Sequence, residues 1–175
     1  DATRRDPLSV DEVLSSTMIS EPLHLLDCCL VTDGAGAIVM TTAERAKDLK
    51  SKPVAVKGYG EAHTHWAIGE MPDLARLLPA QKAGERAMKM AGVSHSDIDV
   101  VEIYDSFTIT VLLTLEALGF CKFGEGGDFV SGGRIAPKGD FPMNTQGGGL
   151  SYTHPGMYGI FLIVEAVRQL RGEAD

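Results

Sequence analysis

Gly147-Gly148-Gly149-Leu150-Ser151-Tyr152-Thr153-His154-Pro155-Gly156-Met157-Tyr158-Gly159 concentrates the chemistry of this 175-residue chain. Three successive glycines let a backbone turn sharply and pass close to a ligand. A histidine follows, then a proline suited to the first position of a helix, then the apolar run of residues 160–164. The layout predicts a final helix over 155–170 and sets His154 at its N-terminus, where the dipole disfavours an imidazolium. An imidazole beside glycine backbone can donate to a developing oxyanion. On pattern alone, a glycine-rich loop whose histidine merely caps a helix is the commoner outcome.

Upstream, Asp99-Val100-Val101-Glu102-Ile103-Tyr104 predicts a strand that delivers Tyr104 and Asp105 to its C-terminal end. In open α/β sheets ligands bind at that end. Ser106 is placed to cap a helix running to Leu118 and closed by Gly119. With Phe107, Ile109, Val111, Leu112, Leu113, Leu115 and Leu118 this helix is apolar on most sides, which predicts a largely buried central helix. Two more strands are expected over 37–42 and 53–60. Thr42 is expected to cap a helix over 43–49. Residues 79–90 predict an amphipathic helix between Pro79 and Gly92, burying Leu77, Leu78, Ala83, Ala87, Met88 and Met90. Ser9 and Glu12 have capping-box spacing and predict a short first helix. Residues 120–141 read as irregular and wrapped around the site. Alternating strands and helices give an α/β domain.

Composition narrows the function classes. A formal net charge of −8 speaks against non-specific nucleic-acid binding. No apolar run reaches membrane-spanning length, and no signal-peptide layout opens the sequence. With 44% apolar residues and a mean hydropathy of +0.02, the chain reads as one globular domain of the soluble kind. Cys28, Cys29 and Cys121 make no disulfide framework and read as reduced thiols of a cytoplasmic protein. His63 and His65 stand two apart in a loop with no third metal ligand at suitable spacing, which favours a polar substrate-side loop over a metal site. Asp1, in place of an initiating methionine, reads as the start of a cut or processed chain.

Three blocks carry a family resemblance. Residues 148–159 resemble the histidine loop of the thiolase superfamily, roughly Gly-Gly-x-x-x-x-x-His-Pro-x-Gly. Glu102-Ile103-Tyr104-Asp105-Ser106-Phe107 lies where thiolases carry Asn-Glu-Ala-Phe and lipid-transfer-type thiolases His-Asp-Cys-Phe. Asp27-Cys28-Cys29-Leu30-Val31-Thr32-Asp33-Gly34-Ala35-Gly36-Ala37 resembles the Asp-Gly-Ala-Ala stretch that opens the family's C-terminal domain. The blocks keep the family's order over nearly the whole chain. The closest look is to the lipid-transfer-protein (sterol-carrier-type) branch, which holds acetyl-CoA acetyltransferases and thiolase-like aldolases.

The resemblance implies a thiolase-like C-terminal domain over 27–175, preceded over 1–26 by the tail of a substrate-covering insertion. Its fold class is α/β, with a mixed sheet and a buried central helix but without the family's final strand pair. The implied activity is carbon–carbon bond chemistry on coenzyme A thioesters, as part of an acyl-CoA acyltransferase. Retro-aldol cleavage of an acyl-CoA side chain and non-catalytic acyl-CoA or lipid binding are the alternatives. His154 matches the family's histidine. Tyr104 stands where relatives have asparagine or histidine, an exchange that favours an aldolase-like member, and Tyr152 adds a second phenol. The implied catalytic set is therefore His154, Tyr104 and Tyr152, with Gly148, Gly149, Ser151 and Asp105 on the substrate side and Asp105 ordering the strand-to-helix turn. No metal and no covalently bound cofactor are implied; the coenzyme A thioester is the substrate. Neither the family's acylated cysteine nor its Cys-x-Gly-Gly cysteine is matched, so the 175-residue piece alone is expected to be inactive. Expected partners are the N-terminal half of the thiolase fold, a second copy of the chain and, for an aldolase, an OB-fold protein; neither nucleic acid nor a membrane span is expected. Self-association follows from an apolar face and a sheet edge left uncovered.

Overall fold

The computed structural model describes residues 2–174; Asp1 and Asp175, the outer bounds of the two expected segments, lie outside the described residues. Helix α1 (Val10–Ser15) starts as its spacing predicts. Ser9 Oγ accepts from the Glu12 amide at 3.2 Å, and the Glu12 carboxylate accepts from the Ser9 amide at 2.7 Å. Replacing Ser9 with alanine removes the cap and is expected to speed amide exchange in this helix roughly 3- to 30-fold, with the rest of the chain unchanged. An antiparallel pair follows, the exposed β1 (Met18–Ser20) and the half-buried β2 (Leu23–His24).

The expected mixed sheet does not form among the described residues. Runs 37–42 and 53–60 carry no ladder, and Val39 is 91% exposed and Val56 74%. A strand is held by the amides and carbonyls of a neighbouring strand, and these runs have none beside them. Residues 58–60 lie on a helix instead, as described below. The third expected strand, 99–104, is reduced to one parallel bridge, Val101 with Met143. The architecture is mostly helical.

Helix α2 (Ala43–Ala46) is capped by Thr42 as expected but stops after four residues, short of 49. Helix α3 (Leu78–Ala91) carries Pro79 in its first turn and ends on left-handed Gly92. It meets α4 (Thr108–Leu118) through Gly84, where an added Cβ would lie 2.6 Å from the Leu118 side chain. Leu78 and Met90 are exposed at 41% and 65%, contrary to expectation. Each stands six positions from Gly84, about 120° round the helix from that contact. On another face of α3, Gly58 and Gly60 press against the carbonyls of Ala87 and Ala83, a backbone-to-backbone approach with no room for a side chain.

Helix α4 begins at Thr108, one residue later than expected, with Phe107 and not Ser106 at its N-cap, and ends on left-handed Gly119. Only Val111 and Leu115 are buried in it, one stripe rather than most sides. They join Val101, Ile103 and Met143 in the main core, while Ile109 remains 44% exposed because no element covers its side. Phe120, Phe129 and Phe141 close this core, edge to face at 5.0 Å between centroids. The wrapping segment 120–141 contains one short helix, α5 (Gly126–Val130), tied down by Glu116, which accepts from the Gly124 and Gly126 amides at 3.0 Å.

The glycine loop winds one turn, α6 (Gly148–Ser151), and the final helix is α7 (Gly159–Arg171). The expectation that this helix starts at Pro155 is corrected: Gly156 has φ +97, outside the right-handed helical region, so the chain turns once more before α7. Arg168 and Arg171 occupy its last turn, where cations suit the helix dipole, and Gly172 its left-handed end.

Candidate active site

Asn144 and Asp105 build the frame. Beyond the Val101–Met143 bridge the next rung is made by a side chain: Asn144 Oδ1 accepts from the Ile103 amide and Nδ2 donates to the Ile103 carbonyl, both at 2.9 Å. Asn144 reaches this position with φ +44, a conformation asparagine tolerates better than most residues. The chain then runs into the glycine loop, which Asp105 clamps. Its carboxylate, 3% exposed, accepts from the Gly149 amide at 2.7 Å and the Leu150 amide at 3.2 Å. Burial pushes the Asp105 carboxyl above its ordinary value, and those two amides pull the other way. Gly148, at φ +64, passes so close that an added Cβ would run into Asp105 Oδ2.

The frame brings two distant side chains together. His154 Nε2 stands 2.8 Å from the Tyr104 hydroxyl, with ring centroids 5.4 Å apart. The His154 amide donates to Thr32 Oγ1 at 2.9 Å, and Thr32 in turn hydrogen-bonds Thr153 at 2.7 Å. Leu30 donates to the Gly149 carbonyl at 2.9 Å and Cys29 to the Ser106 carbonyl at 2.9 Å, so residues 28–32 lace the glycine loop to the turn before α4. Tyr104 is 41% exposed and opens to solvent, while burial raises its phenol above the ordinary range, with Cys29 adding to it. Burial likewise raises the Cys29 thiol, with Cys28 second. Behind His154, the ring of Tyr158 stacks at 6.0 Å and 21° and is itself 1% exposed.

The residues singled out from sequence fall into four places. Tyr104 and His154 meet. Tyr152 does not join them; its ring sets edge-on against Phe161 at 6.1 Å. Gly148, Gly149 and Asp105 are packed on one another, and the Gly149 amide is spent on Asp105 rather than left for a ligand. The Ser151 carbonyl accepts from the Thr3 and Arg4 amides at 2.7 and 2.9 Å, which anchors the start of the chain beside the loop. His154 sits in the link between α6 and α7, so the helix dipole drops out of the account of this imidazole. His65 lines a cavity of about 270 Å³ with Arg76 and Phe123, and His63 bonds Glu61. Sequence reasoning missed the parts played by Asn144, Thr32 and Tyr158; Thr32, within the 27–37 block, and Tyr158, four residues past His154, stood in stretches already marked.

Comparison with known proteins follows this geometry. A family model described as thiolase C-terminal domain-like matches residues 60–175. An acetyl-CoA acetyltransferase of Methanothermobacter thermautotrophicus is 40% identical over 168 residues, covering 95% of this chain and 44% of that protein. A 17-hydroxy-3-oxo-4-pregnene-20-carboxyl-CoA lyase of Mycobacterium tuberculosis is 42% identical over 172 residues, with the same two coverages of 95% and 44%. The solved structure of an Ltp2-ChsH2(DUF35) aldolase superposes with a TM-score of 0.84 at 32% identity, over 96% of this chain and 44% of that one. The chain thus spans 44% of the length of these relatives.

Proposed function

Because the chain belongs to the thiolase family, in its C-terminal domain-like part, we propose that Tyr104 and His154 serve carbon–carbon bond cleavage of retro-aldol type on a coenzyme A thioester. The observation that carries this reading is the 2.8 Å contact between the Tyr104 hydroxyl and His154 Nε2. Retro-aldol cleavage removes the proton of a β-hydroxyl, breaks the Cα–Cβ bond and leaves that electron pair on the thioester as an enolate. A phenol held above its ordinary pKa keeps its proton at neutral pH and is a poor base alone. Bonded to an imidazole nitrogen, it can accept the substrate's proton while passing its own to Nε2, so no tyrosinate has to form. The proton returned to the enolate carbon closes the cycle.

Acyl transfer is the second reading, supported by the 40% identity to an acetyl-CoA acetyltransferase. It requires a thiolate nucleophile. None of Cys28, Cys29 and Cys121 matches the family's nucleophile, and what supports the first reading over the second is the phenol of Tyr104 set against His154 Nε2. In this proposal residues 1–26 cover the substrate and 27–175 carry the chemistry, with the N-terminal half of the thiolase fold completing the site. The similarity to an Ltp2-ChsH2(DUF35) aldolase supports an additional OB-fold partner. The test uses the full-length protein with a β-hydroxyacyl-CoA and, separately, acetoacetyl-CoA plus free coenzyme A. Release of a ketone or aldehyde from the first supports the aldolase; thiolysis of the second without cleavage of the first overturns it.

A further inference from the structure

Behind the site lies a buried acidic cluster that the proposed reaction does not use. Thr145 Oγ1 has three polar neighbours: Glu165 Oε1 at 2.6 Å, Gln169 Nε2 at 2.7 Å and Glu102 Oε1 at 3.1 Å. A hydroxyl offers one proton and two lone pairs. The Gln169 amide nitrogen can only donate, which occupies one lone pair. The hydroxyl proton goes to the nearer carboxylate, Glu165. With both carboxylates ionised, Glu102 Oε1 would face the remaining lone pair; a proton on Glu102 turns that repulsion into a hydrogen bond. The surrounding charges agree, since Arg168 stands 3.3 Å from Glu165 Oε2, whereas no ion pair among the described residues reaches Glu102. Glu102 Oε2 and the Tyr158 hydroxyl are both buried with no hydrogen-bond partner among the described residues.

We infer that Glu102 holds a proton at the back of the site, and that Glu102, Thr145 and Glu165 together form a positioning device for His154. The path is short. Glu165, 3% exposed, fixes α7; Tyr158 is the N-cap of α7; and the Tyr158 ring stacks on Phe161 at 5.5 Å and on His154 at 6.0 Å. Losing the proton sets a second negative charge against Glu165 and loosens that seat. Burial, with Glu165 adding to it, raises Glu102 from its ordinary 4.5 to about 7, so the change falls near neutrality. The groups facing Glu102 are Glu165 on α7 and Tyr158 just before it, with Arg168 paired to Glu165; the Thr145 amide, which donates to Glu102 Oε1 at 3.1 Å, pulls against the proton. A carboxyl raised in the folded state binds its proton more tightly than the unfolded chain does. Its stabilising contribution is therefore greatest at acid pH and is lost as pH rises from 4.5 towards about 7.

The link to His154 rests on the reaction proposed above; the location of the proton does not, and it is measured without turnover. Difference infrared spectra of the chain between about pH 6 and pH 8.5 should show a protonated-carboxyl band that titrates near neutrality, well above ordinary carboxylates. The band should vanish in Glu102→Gln, which keeps shape and a donor, and should titrate at lower pH in Glu165→Gln, which removes the repelling charge. In the wild type the ring resonances of His154 should carry, on top of any protonation of the ring itself, a shift with the midpoint of the band, and in Glu102→Gln that added shift should be absent. No such band in the wild type, or a band that persists in full in Glu102→Gln, overturns the assignment of the proton. A titrating band with His154 resonances that ignore it overturns the positioning role.

Discussion

Tyr104→Phe in the full-length protein is expected to slow carbon–carbon cleavage about 10²- to 10⁴-fold, the range lost with a general acid–base group. The substitution removes one oxygen. The ring that meets His154 at 5.4 Å stays, and at 41% exposure the site has no need of the hydroxyl for packing. The loss should therefore fall on kcat, with KM within about threefold, because the proton transfer belongs to the transition state and not to substrate binding. Steady-state kinetics on a β-hydroxyacyl-CoA decide it. A variant within about threefold of the parent rate would remove Tyr104 from the chemistry and leave His154 to act with some other donor.

Gly148→Ala is expected to destabilise the fold by about 2–6 kcal/mol, a large effect for one methyl group. Two costs combine. A φ of +64 is a left-handed conformation that alanine adopts only with strain. The new Cβ also collides with Asp105 Oδ2, and a displaced Asp105 leaves the Gly149 and Leu150 amides without their acceptor. Gly156→Ala separates the two contributions, since Gly156 has φ +97 but open space around its Cβ direction. Chemical denaturation of both variants should show Gly148→Ala as clearly the worse. Equal losses would mean that strain alone is at work and that Asp105 has room to move.

What could be read in advance was what is local. Ser9, Thr42, Gly92, Gly119 and Gly172 mark helix ends through bonds made within a few residues, and all five do so in the structure. Pro155 failed as a helix start because its neighbour Gly156 took a left-handed turn, a choice set by the packing of the loop and not by the proline. Strands failed for a different reason. Runs 37–42 and 53–60 have the residues of strands, but a ladder depends on what lies alongside, which no stretch specifies by itself. The meeting of Tyr104 with His154 was legible from the order of two sequence blocks. Which second phenol would approach the imidazole was not: Tyr152 and Tyr158 flank His154, and the turn at Gly156 sends Tyr158 behind it while Tyr152 faces Phe161. Asn144 gave no signal because its role, standing in for a missing backbone rung, depends on Ile103 across a gap of 41 positions.

The lacing of residues 28–32 to the glycine loop has a kinetic consequence. Thr32 and Thr153 are separated by 121 positions, and Tyr104 and His154 by 50. Contacts of such separation form only after a long loop has closed, so they come late on the folding path and slow it. The backbone bonds of helices α1, α3 and α4 join residues close in sequence and form earlier than these contacts. On the ribosome, a chain halted before Thr153 emerges has neither α7 nor a seat for the imidazole, although the segments of α3 and α4 precede that point. His154 is thus seated only after the stretch that carries it is free to fold back onto Thr32 and Tyr104.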